Sequence, residues 1–97
     1  MSKPLTIVAR IKAQPGREDA LKAELVKLIA PTLVEDGCLQ YDFHRDLEDL
    51  SNFLFFENWE TKEKWQAHME SPQLQAYRAV ADDLVDVFEL FQMEKVD

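Results

Sequence analysis

A chain of 97 residues, 46% hydrophobic and 31% charged, is long enough for one globular domain with a real core and argues against disorder. With 19 acidic against 11 basic residues the formal charge is −8, which argues against phosphate backbones and anionic lipid, so neither nucleic acid nor a membrane is an expected partner. The single cysteine, Cys38, can form no internal disulfide and sits in no metal-ligand pattern, and there is neither a leader-like apolar run nor a membrane-spanning one, so a cytoplasmic protein is expected.

Residues 5–13 alternate, with Leu5, Ile7, Ala9, Ile11 and Ala13 on one side, and read as a first strand. Gln14-Pro15-Gly16 ends it. From Arg17 the apolar positions Leu21, Leu25, Leu28, Ile29, Thr32 and Leu33 fall on one helical stripe, with Pro31 expected to kink or end the helix and any remainder reaching Val34 or Glu35. Glu35-Asp36-Gly37 is the exit turn. Period 2 returns at residues 38–46, where Leu39, Tyr41 and Phe43 oppose Cys38, Gln40, Asp42 and His44. A polar hairpin loop, Asp46 to Asn52, leads to the aromatic strand 53–59. Thr61 is a plausible cap for a helix carrying Trp65, His68 and Met69 on one face. Ser71-Pro72 starts another helix with an expected stripe of Leu74, Tyr77, Ala81 and Leu84, and residues 85–93 alternate as the last strand.

The order β-α-β-β-α(α)-β is the ferredoxin-like α+β arrangement, a four-stranded antiparallel sheet with helices on one side, occupying residues 1–97 as a single domain. Large apolar residues occupy both parities of the strands: Ile7, Phe55, Val87 and Phe91 on one, Val8, Leu54, Phe56, Phe88 and Leu90 on the other. At ~1.5 to 3 kcal/mol for each exposed side chain, the second face needs a cover. A homodimer packed sheet to sheet supplies it.

Gly37-Cys38-Leu39-x-Tyr41, His44-Arg45-Asp46, Phe55-Phe56-Glu57-x-Trp59, Ala67-His68 and Ser71-Pro72 resemble the antibiotic biosynthesis monooxygenase (ABM) family, and among its members the small quinol monooxygenase-like proteins. The resemblance runs over nearly the whole chain. It implies a dimeric α+β barrel that oxygenates a quinol or hydroxyaromatic small molecule with O2, with no cofactor, in a pocket between sheet and helices. Relatives on the same scaffold degrade haem or isomerise a small phosphorylated metabolite, so the fold alone does not fix the reaction. Ala9, His68 and Arg78 stand where the haem-degrading pattern has Asn, Trp and His, which disfavours that branch.

His68 is the leading catalytic candidate, because an imidazole suits removal of a phenolic proton at neutral pH. Its structural alternative is a histidine satisfied at the edge of the core. The resemblance implies that Trp59 lines the pocket, with Phe55 and Tyr41 shaping it for a planar ring; plain core packing is the alternative. Glu57 on that aromatic face is a substrate-binding candidate that needs a raised pKa or a partner: it pairs with Arg10 or Arg78, or holds His68 in one tautomer, and a salt bridge without catalytic meaning is the alternative. Tyr77 and Arg78 are candidate donors to a substrate oxygen. His44 is expected at a strand end or dimer contact, and Cys38 as a small buried residue. No nucleotide- or metal-binding motif occurs. The first reading is a monooxygenase; the alternatives are an isomerase of a small polar metabolite that uses His68 as proton shuttle, and a non-catalytic ligand-binding protein.

Overall fold

A computed structural model describes residues 3–97, so the first two positions of the expected domain lie outside the described residues. The elements run β1 (Leu5–Ala13), α1 (Glu18–Val26), α2 (Ile29–Leu33), β2 (Cys38–Arg45), β3 (Asn52–Trp59), α3 (Lys62–Met69), α4 (Pro72–Ala81) and β4 (Val85–Met93). All strand pairs are antiparallel, in the order β2-β3-β1-β4, and the helices cover one face: an α+β, ferredoxin-like fold. Among the described residues no helix is long and apolar enough to cross a membrane.

The core forms where the helical stripe meets the alternate residues of the central strands. Ile7, Ala9, Ile11 and Ala13 of β1 and Phe53, Phe55 and Trp59 of β3 are buried beneath Leu21, Leu25, Leu28, Trp65 and Leu74. The expected continuous first helix is instead two short ones, broken at Lys27-Leu28. Pro31 explains the position of the break. Its nitrogen has no hydrogen to give the Lys27 carbonyl, and its ring crowds that same carbonyl, so the distortion falls one turn upstream of the proline. Leu33, placed on the buried stripe by periodicity, is 52% exposed because the stripe rotates at this break.

Both later helices start as their capping residues dictate. Thr61 Oγ1 accepts from the Lys64 amide at 3.2 Å, and Ser71 Oγ accepts from the Leu74 amide at 3.4 Å with Pro72 in the first turn. The exit turn before β2 relies on Gly37, whose φ of +86° suits glycine and whose missing side chain leaves room for the aliphatic part of Lys64. That packing ties the end of the α2 segment to α3.

Two register irregularities correct the face assignments. Between Cys38 and Gln40 the pairing with β3 shifts, so Cys38 turns toward the core while Leu39, expected beside Tyr41, is exposed. In β4, Leu90 stands opposite Ala9 and Phe91 opposite Val8. Phe88 and Leu90 therefore share the helix side with Ile7 and Phe55, whereas Val87 and Phe91 join Val8, Leu54 and Phe56 on the outer face. Strand alternation defines two faces within each strand; only the hydrogen-bond register decides how they match between strands.

Candidate functional site

Between the sheet and the helices lies a cavity of about 360 Å³, near the lower end of the roughly 300–1,000 Å³ common for small-ligand sites. Tyr41 and Phe55 form part of its sheet side, with Phe88 and Leu90 from β4. Trp65, His68 and Met69 of α3 and Leu74, Tyr77 and Arg78 of α4 form the helix side. The wall is mostly aromatic and aliphatic carbon. Tyr41 and Phe55 lie with ring centroids 4.8 Å apart, and Tyr41 meets His68 edge-on at 5.6 Å.

His68 is only 2% exposed, yet it belongs to the cavity wall. The α3 stripe turns it inward, and Glu35, just past α2, meets it with 2.6 Å between Nδ1 and Oε2. Gln73 in the first turn of α4 donates to the same carboxylate oxygen at 3.1 Å and to Thr32 Oγ1 at 3.3 Å. Three helical segments therefore converge on one carboxylate. Burial lowers the His68 pKa, and the Glu35 bond opposes that effect without overcoming it. The neutral ring donates from Nδ1 to Glu35, which leaves the Nε2 lone pair as the acceptor. On taking up a proton, the imidazolium would keep Glu35 as its counter-charge.

Glu57 occupies the sheet side of the same wall at 4% exposure. Neither expected arginine pairs with it: Arg10 lies on the outer face in an ion pair with Glu89, and Arg78 stands on α4 at the cavity edge. Its partner is Trp59, whose Nε1 donates to Oε1 at 2.9 Å. Burial pushes its carboxyl up to about 7, against the lowering effect of that indole bond. The Trp59 ring also packs against His68, 4.6 Å between centroids. Trp59 itself is fully buried and does not line the cavity, which corrects the expected pocket wall; the wall tryptophan is Trp65. Trp65 Nε1 is buried without a partner among the described residues.

Tyr77 lines the cavity, its phenol pushed up to about 12 by burial, and burial raises the Tyr41 phenol as well. Neither ionises near neutrality, so both serve as neutral hydroxyls. His44 is exposed on the outer face opposite Leu54, away from the cavity. No three His, Cys, Asp or Glu side chains converge to hold a metal ion among the described residues.

Glu35, Gln73 and Trp65 were absent from the sequence-derived site. For Glu35 one signal existed: an acid at the C-terminal end of a helix opposes the helix dipole and so invites a donor from elsewhere. Its partner is 33 positions away, and only the fold brings the two together.

Residues 4–80 match the family model described as Antibiotic biosynthesis monooxygenase. Rv0793 of Mycobacterium tuberculosis, named "Putative monooxygenase Rv0793", is 33% identical over 85 residues, covering 88% of this chain and 83% of that protein. An Escherichia coli protein named "Probable quinol monooxygenase YgiN" is 28% identical over 94 residues, covering 86% of this chain and 90% of that one. The crystal structure of PA3566 from Pseudomonas aeruginosa superposes with a TM-score of 0.96 at 34% identity, over 100% of this chain and 98% of the other.

Proposed function

This chain belongs to the antibiotic biosynthesis monooxygenase family, and we propose that it oxygenates a quinol or another hydroxyaromatic small molecule with O2, using His68 as the general base and no resident cofactor. The observation that carries the reading is the Glu35-supported His68 in the wall of an aromatic cavity. A phenol placed against Nε2 loses its proton to the imidazole. The phenolate passes one electron to O2, and the resulting semiquinone and superoxide combine at a ring carbon as a peroxide, to which His68 returns the proton. Loss of water then leaves a new C=O bond, so one O2 yields one oxygenated product and one water. The binding groups are Phe55, Tyr41 and Trp65 around the ring and Tyr77, Arg78 and Glu57 toward its oxygens; Trp59 supports His68 and Glu57 from behind. A small polar metabolite would need more polar partners than this carbon-rich wall offers, which favours the aromatic substrate over an isomerase reaction. The name of the E. coli relative supports the quinol class. Metal-free protein incubated with a panel of hydroquinones should consume O2 and yield products heavier by the net gain of oxygen; uptake at the uncatalysed rate across the panel would remove the reading.

The functional unit is a homodimer in this proposal. Val8, Leu54, Phe56 and Val87 are part-buried on the face away from the helices, and Phe91 beside Val8 is 42% exposed. Their contiguity on one face of the sheet suits burial against the same face of a second copy. Phe91→Glu places a charge within that patch and should weaken self-association by at least ~2 kcal/mol, more than tenfold in the dissociation constant, by sedimentation equilibrium. An unchanged dissociation constant would place the interface elsewhere.

A further inference from the structure

The proposed reaction ends by expelling water from a peroxide, a step that calls for an acid, and the neutral His68 is arranged as a base. We propose that Glu57 is a second proton-handling residue, a carboxylic acid that donates to an oxygen of the bound ring or of the peroxide formed on it; this rests on the quinol reading above. Glu57 and His68 line one cavity from opposite layers, Glu57 from β3 and His68 from α3. A planar ligand lying between the layers has an acceptor on the helix side and a donor on the sheet side.

Glu57 is preorganised for this role. Its Oε1 is engaged by the Trp59 indole, while no donor meets Oε2 among the described residues. The groups facing it are Glu35 beyond α2, Cys38 and Tyr41 on β2, and His68 on α3, with Arg78 on α4 further along the wall. Glu35 adds negative charge, Cys38 and Tyr41 are neutral near pH 7, and Ile7, its β1 neighbour, is apolar. Among the described residues nothing close by offers a counter-ion, and burial favours the protonated form. In the water-releasing step the acid's proton goes to the distal peroxide oxygen and the O–O bond breaks. The ring C–H electrons become the C=O bond, and the ring proton restores the acid.

Tetramethyl-1,4-benzoquinone tests the donor directly, because it is neutral, presents only acceptor oxygens and has no ring hydrogen to react. Its binding, followed by tryptophan fluorescence, should weaken about tenfold between pH 6 and pH 8, following the protonated fraction of a carboxyl near 7. Glu57→Gln, whose amide donates at every pH, should bind with a flat profile and, given a hydroquinone substrate, should release hydrogen peroxide instead of oxygenated product. A flat wild-type profile, an unchanged fall in the variant, or no wild-type binding at pH 6 would overturn the assignment. Absence of O2 uptake by wild type with an intact pH-dependent binding profile would defeat the monooxygenase reading alone and leave Glu57 as the ligand's donor.

Discussion

His68→Ala is expected to lower hydroquinone turnover by about 10²- to 10⁴-fold, the usual contribution of a positioned general base. The size follows from the cavity's composition. Tyr41 and Tyr77 are held as neutral phenols, Arg78 offers only donors, and Glu57, its carboxyl pushed up to about 7, is assigned the donor's part, so His68 is left as the wall's proton acceptor. Truncation to alanine also leaves Glu35 with Gln73 as its remaining side-chain donor and opens a void beside Trp59. His68→Gln separates chemistry from structure, since its amide can still donate to Glu35 and occupies much of the same space but cannot accept the phenolic proton. Both variants should keep the wild-type circular dichroism spectrum and lose turnover to a similar extent. Wild-type rates in the glutamine variant would remove His68 from the proton step.

The largest stability effect is expected at Trp59. Its ring is fully buried, packs tilted against His68 and donates to Glu57, so Trp59→Ala removes a large core volume and leaves a buried carboxyl without its partner. The cavity alone costs about 3–5 kcal/mol, and the stranded acceptor adds roughly 1–3 kcal/mol. For a domain of this size, whose total stability is on the order of 5–15 kcal/mol, that brings the protein close to unfolding. Trp59→Phe should recover most of the packing term while still lacking the indole donor. In urea titrations the alanine variant should show a midpoint far below wild type and the phenylalanine variant an intermediate one; equal midpoints for alanine and wild type would mean that the site collapses to fill the void.

The strand and helix pattern was legible because each segment carries its own period and its own punctuation. Thr61, Ser71-Pro72 and Gln14-Pro15-Gly16 mark element ends that the structure places within a residue or two. Face assignments in the edge strands were less so. The shift near Leu39 and the odd-to-even matching of β1 with β4 come from inter-strand hydrogen bonding, which no local period encodes. His68, Glu57, Phe55, Tyr41, Tyr77 and Arg78 do line one cavity, since they fall on facing elements of sheet and helix. The support beneath them was hidden: Glu35 looked like turn residue and Trp59 like wall. Both assignments depend on which helical segment sits over which strand, and that is decided by packing around the break that Pro31 imposes.

The most direct measurement is the fate of isotopically labelled oxygen. With ¹⁸O2 and a hydroquinone bearing a free ring position, the wild-type protein should place one labelled atom in the organic product and the other in water, at a rate that falls with His68→Gln. Hydrogen peroxide carrying both labelled atoms, with none in the product, would contradict oxygenation at this site.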